Sequence, residues 1–218
     1  MFSLGIHRAP QVFHRAMRNF VEGAALELYR AARVEPDGAS GAGEVAVGLL
    51  GSSCIRVVPG SALPGRAELA RVRGRWCIYV RRGICAEELH HAIGHELGHY
   101  YMRLIGYRSA DEEDLADRIG AALCAPRPAF TRALAIVGDR NLRRLSRVFV
   151  FSRGAAALRV AECTGSPVAL LGPDKIRVRG RPWSWPSNDQ GFRILSAGGP
   201  GVRAARVERG RVVLRPAV

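Results

Sequence analysis

The segment HHAIGHELGHY, residues 90–100, holds four of the six histidines of this 218-residue chain. Three of them, His91, His95 and His99, recur every four residues, a spacing that places them on one face of an α-helix. Apolar residues recur at three and four positions through the surrounding segment, and two glutamates occupy its first turn. The pattern predicts a helix from Ala86 to about Ile105 with a column of imidazoles along one side.

Only two neighbouring histidines of this column can share a metal ion. The ends of the column are about 12 Å apart along the helix axis, whereas zinc takes imidazole nitrogens at about 2.0 Å. His95 and His99 form the pattern His-Glu-x-x-His, in which Glu96 is turned by about 100° from the adjacent ligand and can reach a metal-bound water. We therefore predict His95 and His99 as metal ligands and Glu96 as the base. His91 is a candidate contact to substrate or to a ligand, with a packing role as the alternative.

The five-residue pattern also occurs by chance, and catalytic zinc keeps three protein ligands, so a third ligand is needed. A helix predicted from about Asp111 to Cys124 presents Glu113 and Asp117 on one face. If it packs antiparallel to the histidine helix, Glu113 completes the coordination and Asp117 accepts a hydrogen bond from a ligand histidine. The alternative is that these acids are a solvated helix start. Two histidines and a glutamate suit Zn²⁺, and they also accept Mn²⁺ or Co²⁺.

The remaining segments predict a mixture of helices and short strands. A first helix is expected at residues 11–33, and residues 131–165 are expected to be helical with a break at Phe151-Ser152, where Ser152 would cap the last helix. Alternating or β-branched stretches predict strands at residues 44–51, 54–60, 74–83 and 175–180, and a hairpin at residues 205–216.

The positive charge is concentrated in the C-terminal third. Residues 1–140 contain 18 arginines and 15 acidic residues, a net charge of +3, whereas residues 141–218 contain 15 basic and 4 acidic residues, a net charge of +11. Such an excess favours an acidic partner surface or nucleic acid. Because Lys175 is the single lysine beside 32 arginines, a coding bias toward arginine is the alternative explanation.

Two other classes of protein are not indicated. The start of the chain lacks the pattern of a signal peptide, and no charge-free apolar run of about 18 residues could span a bilayer, so we expect a cytoplasmic chain without membrane contact. The five cysteines are scattered and form no Cys-x-x-Cys pair, which disfavours a disulfide framework or a cysteine zinc site.

Two consecutive segments resemble the ImmA/IrrE metallopeptidase family. HELGHYYMRLIG (95–106) is followed by EDLADRIGAALCAP (113–126), and the family pairs HELGH with a downstream E-x-x-A-[ND]-x-F-A-A-x-L-L-x-P signature. RVFVFSRGAAALRVAECTG (147–165) is similar to the helix-turn-helix-like segment that follows the zinc domain in these proteins. The similarity covers about residues 20–165, and it departs from the signature mainly at packing positions.

The resemblance implies an α+β fold with a mainly helical, zincin-like metallopeptidase core and a small β-sheet in residues 1–135. Residues 136–218 would form a basic region with helix-turn-helix-like helices and a short β tail. The implied function is a zinc endopeptidase that cleaves a helix-turn-helix transcriptional repressor, hydrolysing a peptide bond with a metal-bound water activated by Glu96.

Two other functions remain as alternatives. One is a DNA-binding regulator, although the second helix of the helix-turn-helix-like segment offers only Arg153, Arg159 and Glu162 to reach base edges. The other is a non-catalytic toxin or sensor module that retains a structural metal site.

Overall fold

The computed structural model describes residues 9–37, 41–138 and 141–164, and the backbone of short strands at 168–171, 176–179, 193–196, 202–208 and 211–216. The chain divides into two compact units, Met1–Arg127 and Pro128–Val218. The structure is mainly helical with a small three-stranded sheet before the histidine helix, which confirms the predicted α+β class.

The first unit combines helices with one small sheet. In its described part the helices are α1 (Ala9–Ala32), α2 (Ala42–Leu50), α3 (Ala86–Leu104) and α4 (Glu112–Cys124), and the strands are β1 (Ile55–Val58), β2 (Ala67–Val72) and β3 (Arg75–Arg81). The predicted first helix, histidine helix and acidic helix are thus confirmed within one or two residues at each end. The core forms where apolar side chains of α1, α2, α3, α4 and β3 meet.

The edge strand β2 of the sheet lies beside the histidine helix. Its strand order is β1-β3-β2, with β1 parallel and β2 antiparallel to β3. The N–H of Arg81 donates to the carbonyl of Arg66 just before β2 begins. Because bonding to a neighbour alternates along an antiparallel strand, the main-chain groups of Ala67 and Leu69 point away from β3. They form the outer edge of β2.

Residues 44–51 were predicted to be a strand, and that prediction is wrong. They lie in α2, in which the buried residues are Ala42, Val45, Ala46 and Leu50. This spacing of three, one and four residues is that of one helix face, and the face packs against α1 and α3. A short apolar run can form a strand or a buried helix, and periodicity alone does not separate the two. Strand β2 was not predicted.

Helices α3 and α4 approach closely because small residues lie between them. A Cβ added to Gly98 would lie 2.8 Å from both Cα and the carbonyl oxygen of Ala116. One added to Gly94 would lie 2.9 Å from the carbonyl oxygen of Gly120. The residue number falls along α4 as it rises along α3, from Gly94 with Gly120 to Gly98 with Ala116. The two helices therefore run antiparallel, as the sequence predicted. Side chains on the facing surfaces are therefore brought within direct contact.

The second unit begins with three helices. They are α5 (Arg127–Val137), α6 (Leu142–Val148) and α7 (Arg153–Thr164). The rings of Phe130, Phe149 and Phe151 are 5.2 to 6.2 Å apart and form a buried aromatic cluster. Ser152 caps α7, since its Oγ accepts a 3.2 Å hydrogen bond from the N–H of Ala155, which confirms the predicted cap.

The end of α5 differs from what the sequence predicted for this region. The sequence predicted a domain boundary after residue 135, which lies inside α5. It also predicted continuous helix from residue 131 to the break at Phe151-Ser152, whereas α5 and α6 are separate helices. Gly138, which directly follows α5, has a φ of 79°, a conformation that often ends a helix and that glycine adopts without steric cost.

The C-terminal strands are β4 (Val168–Leu171), β5 (Ile176–Arg179), β6 (Arg193–Ser196), β7 (Val202–Glu208) and β8 (Arg211–Pro216). The first three form a sheet in the order β5-β4-β6, and the last two pair antiparallel. The predicted strand at 175–180 and the predicted hairpin are confirmed, although its turn at residues 209–210 lies outside the described residues. Within the described chain, no helix has an apolar stretch long enough to cross a membrane.

Candidate metal centre

Three side chains from α3 and α4 converge on one point. The Nε2 atoms of His95 and His99 are 3.1 Å apart. Glu113 lies across from them, with Oε2 3.4 Å from Nε2 of His95 and Oε1 3.4 Å from Nε2 of His99. The helical spacing of four residues places the two imidazoles side by side on one face, edge to face with an interplanar angle of 80°, and the antiparallel packing of α4 supplies the carboxylate. The structure therefore brings the three predicted ligands together.

The separations between these atoms fit a metal ion. Four ligands placed tetrahedrally at about 2.0 Å from zinc lie about 3.3 Å from one another. The separations of 3.1 and 3.4 Å found among the two Nε2 atoms and the Glu113 oxygens are close to that value. His95, His99 and Glu113 can thus hold a metal ion.

Each ligand histidine is also bonded to a second acid of α4 through its other ring nitrogen. Nδ1 of His95 lies 2.8 Å from Oδ1 of Asp117, the residue predicted for this place. Nδ1 of His99 lies 3.1 Å from Oε1 of Glu112, which the sequence analysis did not identify. A carboxylate on Nδ1 holds the proton there and leaves Nε2 with its lone pair for a metal. Both imidazoles are therefore oriented as ligands.

The role of Glu112 could have been inferred from the spacing. In an antiparallel pair, moving four residues forward along α3 from His95 to His99 means moving about one turn back along α4. If Asp117 meets His95, then a residue near 112 or 113 meets His99. Glu113 was already assigned as a ligand, so Glu112 was the remaining acid of α4 that could reach His99.

The charge of Asp117 affects the protonation of His95. Burial lowers the pKa of His95, but the hydrogen bond and the negative charge of Asp117 outweigh burial and raise it overall. The carboxylates of Glu96 and Glu113 act in the same direction. Nearby carboxylates thus favour a positive charge at this position of the centre.

Glu96 is buried beside the two ligands and is bonded to the sheet. Its side chain is mostly removed from solvent, with 7% of the residue exposed. Its Oε2 accepts a 2.8 Å hydrogen bond from the backbone N–H of Leu69 in β2. Burial raises the pKa of Glu96, although His95, His99 and the Leu69 N–H all lower it. A carboxylate in such surroundings is suited to accept and release a proton.

A cleft of about 350 Å³ opens over these residues. One wall is the segment that enters β2 and the first half of the strand, Pro64–Leu69, and the other is formed by α3 and α4. The side chains that line it include His95, Glu96, His99, Arg103 and Glu113. The ligand group, the acid and the outer edge of β2 thus share one solvent-accessible space.

His91 lies apart from this group. It is half-buried one turn before His95, and it is not among the residues that line the cleft. Burial lowers its pKa, and the charge of Asp117 partly opposes that effect. The charges of Asp117 and of His95 both affect the pKa of His91. A contact with substrate stays a prediction.

Comparison with known proteins gives little further information. No protein-family model matches the chain, and no curated protein matches it. Among solved structures, it is similar to a Mycobacterium tuberculosis transcriptional regulator, with 16% sequence identity and a TM-score of 0.47. The superposition covers 68% of this chain and 52% of the regulator, about half of its length. A likeness at this level carries no argument about function.

Proposed function

We propose that this protein is a zinc-dependent endopeptidase of the ImmA/IrrE type. The observation that carries the proposal is the placement of His95, His99 and Glu113 around one point, with the buried Glu96 in the same cleft. A structural metal site does not require an acid beside it in an open cleft. A hydrolytic site requires both, because water and substrate must enter and a proton must be moved.

His95, His99 and Glu113 would hold the zinc ion. When bound, zinc supplies a Lewis acid that polarises a carbonyl group and makes water a stronger nucleophile. Nδ1 of each histidine stays protonated because Asp117 and Glu112 accept from it. The protein thus keeps the Nε2 lone pairs of both ligands directed at the same point.

Glu96 would act as the proton carrier. Its carboxylate takes a proton from the attacking water and later gives it to the leaving amine, so one group serves as base and then as acid. The Leu69 N–H holds one oxygen of this carboxylate. The other oxygen is left to receive the proton.

The edge of β2 suits an extended peptide as substrate. The main-chain groups of Ala67 and Leu69 point away from β3, and both residues line the cleft. Because the Leu69 N–H donates to Glu96, a peptide would pair with the N–H and carbonyl of Ala67 and with the carbonyl of Leu69. A peptide that pairs with this edge gains main-chain hydrogen bonds whatever its sequence. Its carbonyl groups would then pass close to Glu96. This arrangement favours cleavage within a chain, as in a repressor segment that becomes extended.

The proposal can be tested with the purified protein loaded with one equivalent of zinc. A helix-turn-helix repressor encoded beside its gene is the first substrate to incubate with it. Mass spectrometry should find two complementary fragments, a chelator should stop their formation, and added zinc should restore it. Zinc binding without cleavage of that repressor or of an unfolded protein mixture would instead favour the non-catalytic sensor or toxin module.

A second candidate function, contact with nucleic acid, is supported by α6. Its side chains Arg143, Arg144 and Arg147 are exposed, and none forms an ion pair within the described residues. Helix α7 is less suited to this role, because Arg159 is buried and donates to Glu162 at 3.2 Å, so two of its three long polar side chains bind each other. The expected contact is with phosphates rather than with base edges.

A salt titration tests this second candidate. If the three arginines of α6 each neutralise a phosphate, the logarithm of the DNA-binding constant should change with the logarithm of salt concentration by a slope of roughly −2.7 or steeper. Changing all three to glutamine should remove most of that slope, whereas Arg132→Gln, an exposed arginine of α5, should remove at most about one phosphate contact. Equal slopes for both variants would exclude α6 as the binding surface.

A further inference from the structure

One carboxylate oxygen of Glu112 contacts both the ligand His99 and the guanidinium of Arg103. Oε1 of Glu112 lies 3.1 Å from Nδ1 of His99 and 3.1 Å from Nη2 of Arg103. Arg103 follows His99 by one helical turn on α3, so the two side chains reach the same carboxylate from one face. Little of this group is exposed, with 13% of the His99 side chain, 17% of Glu112 and 28% of Arg103 open to solvent.

Glu112 is the carboxylate that fixes the guanidinium in place. Nη1 of Arg103 is buried and has no hydrogen-bond partner among the described residues, whereas Nη2 is bonded to Glu112. A partly buried charged hydrogen bond is stronger than an exposed one, because water competes less for its partners. The pairing therefore restricts the carboxylate of Glu112 to the position in which it also meets His99.

The other ligand histidine is held differently. Asp117, which bonds to Nδ1 of His95, has 55% of its side chain exposed to solvent. The two carboxylates that meet the ligand histidines thus differ in their exposure to solvent, and Glu112 is the less exposed of the two.

We propose that Arg103 is a positioning residue of the metal centre, which acts through Glu112 to keep the imidazole of His99 oriented with Nε2 toward Glu113 and His95. This inference rests on the metal site of the proposed function, but not on peptidase activity. In the described part of the chain, no hydrogen bond or ion pair joins Arg103 to the ligand atoms or to Glu96. Its effect is transmitted by one oxygen atom of Glu112.

Charge and positioning predict opposite results when Arg103 is removed. Four carboxylates surround the centre, from Glu96, Glu112, Glu113 and Asp117, and Arg103 is a cation bonded to one of them. If Arg103 acted only through its charge, its loss would make the site more negative and bind a divalent cation more tightly. If it positions Glu112, its loss frees the carboxylate and loosens His99, so binding weakens.

The test measures metal affinity rather than cleavage. Zn²⁺ affinity is determined by competition with a chromophoric chelator, and Co²⁺ provides a visible spectrum that reports ligand geometry. Arg103→Met should weaken zinc binding roughly 10- to 100-fold, the range found when an outer partner of a metal ligand is lost, and should alter the Co²⁺ bands. Arg103→Lys, which keeps a cation near Glu112, should recover part of the loss.

Two controls separate positioning from other effects. Arg108→Met removes the same charge from an exposed arginine near the end of α3, and should leave affinity unchanged. In a double-mutant cycle, Arg103→Met added to Glu112→Ala should cause little further loss, because the group through which Arg103 acts is already absent. Thermal unfolding of the metal-free variants identifies any that fail to fold. If Arg103→Met is one of them, the zinc affinity of Arg103→Lys is compared with that of the wild type instead.

The outcomes are distinct. Unchanged or tighter zinc binding in Arg103→Met, or a full additional loss on the Glu112→Ala background, would overturn the inference even if the wild-type chain cleaves its substrate. A wild-type chain that binds zinc but cuts nothing would refute the endopeptidase and leave the role of Arg103 standing. Failure of the wild-type chain to bind zinc or cobalt would overturn both.

Discussion

The backbone N–H of Leu69 and the carboxylate of Glu96 are joined by a 2.8 Å hydrogen bond between an edge strand and the histidine helix. The bond orients the acid toward the point where His95 and His99 meet. It also ties the strand that would receive a peptide to the group that would move the proton. A displacement of β2 therefore changes the position of the Glu96 carboxylate, although Leu69 and Glu96 are 27 positions apart in the sequence.

Changing Glu96 to glutamine separates metal binding from hydrolysis. The ligands remain, so the variant should bind zinc with an affinity close to that of the wild type. Cleavage should fall by a factor of about 10² to 10⁴, the usual contribution of a general acid or base. Glu87→Gln, an exposed acid in the first turn of α3, is the matched control and should cut normally. A Glu96→Gln variant as active as the control would remove Glu96 from the mechanism.

Glu113 should be required for metal binding. Its carboxylate supplies the ligand atoms from α4, and with only two histidines left the centre loses a third of its protein ligands. Glu113→Ala should therefore weaken zinc affinity by more than the roughly 10- to 100-fold caused by the loss of an outer partner. Asp114→Asn, whose side chain bonds to Arg118, should retain wild-type affinity. Calorimetric titration with zinc measures both.

The close approach of α3 and α4 should not tolerate a methyl group at Gly98. A Cβ there would lie 2.8 Å from the backbone of Ala116, so the helices must separate. Gly98→Ala should lower the free energy of unfolding by about 1 to 3 kcal/mol. It should also weaken zinc binding, because Glu113 moves away with α4. Chemical denaturation and zinc titration of the same preparation provide the two measurements.

A glycine with open space around it provides the comparison. Gly23 lies inside α1, and no neighbouring atom lies within 4 Å of the position that a Cβ would occupy there. Gly23→Ala should raise the free energy of unfolding by about 0.5 to 1 kcal/mol, since alanine loses less backbone entropy in a helix. If Gly98→Ala and Gly23→Ala both lower the free energy of unfolding, the loss at Gly98 cannot be assigned to close packing between α3 and α4.

His90 should make the metal-free protein less stable in mild acid. Burial lowers its pKa below 6.5 in the folded chain, more than a hydrogen bond with the backbone of Cys124 raises it. As the pH falls below about 6.5, the unfolded chain takes up a proton at His90 that the folded chain does not, so the free energy of unfolding decreases. In the presence of a chelator, His90→Gln should therefore show a shallower loss of stability between pH 7 and 5. Parallel curves for the two proteins would contradict this assignment.

Much of the metal centre could be predicted from the sequence because its parts are local. A spacing of four residues places His95 beside His99 on any helix, and Glu96 follows from the same geometry. The acidic pair Glu113 and Asp117 was found in the same way, since a helix of that length and apolar pattern has to bury one face. The helix boundaries were equally local, because Ser152 and the prolines act on the turn beside them.

Other features depended on which segments come together. The run at residues 44–51 has a composition compatible with a strand, and its packing between α1 and α3 decided that it is helix. The bonds from Glu112 to His99 and from Leu69 to Glu96 join residues 13 and 27 positions apart. Spacing alone does not encode either pair, because the first also requires that α3 and α4 pack antiparallel and the second that β2 lies beside α3.

The sequence alone therefore determined α1, α3 and α4, the candidate ligand types and the order of these residues along the chain. Only the tertiary structure decided which oxygen faces which nitrogen, that β2 is the strand beside the acid, and that Arg103 stands behind His99. The physical reason is that helix periodicity is set within a few residues by backbone hydrogen bonds. Contacts between helices depend instead on how closely small residues such as Gly98 let them approach.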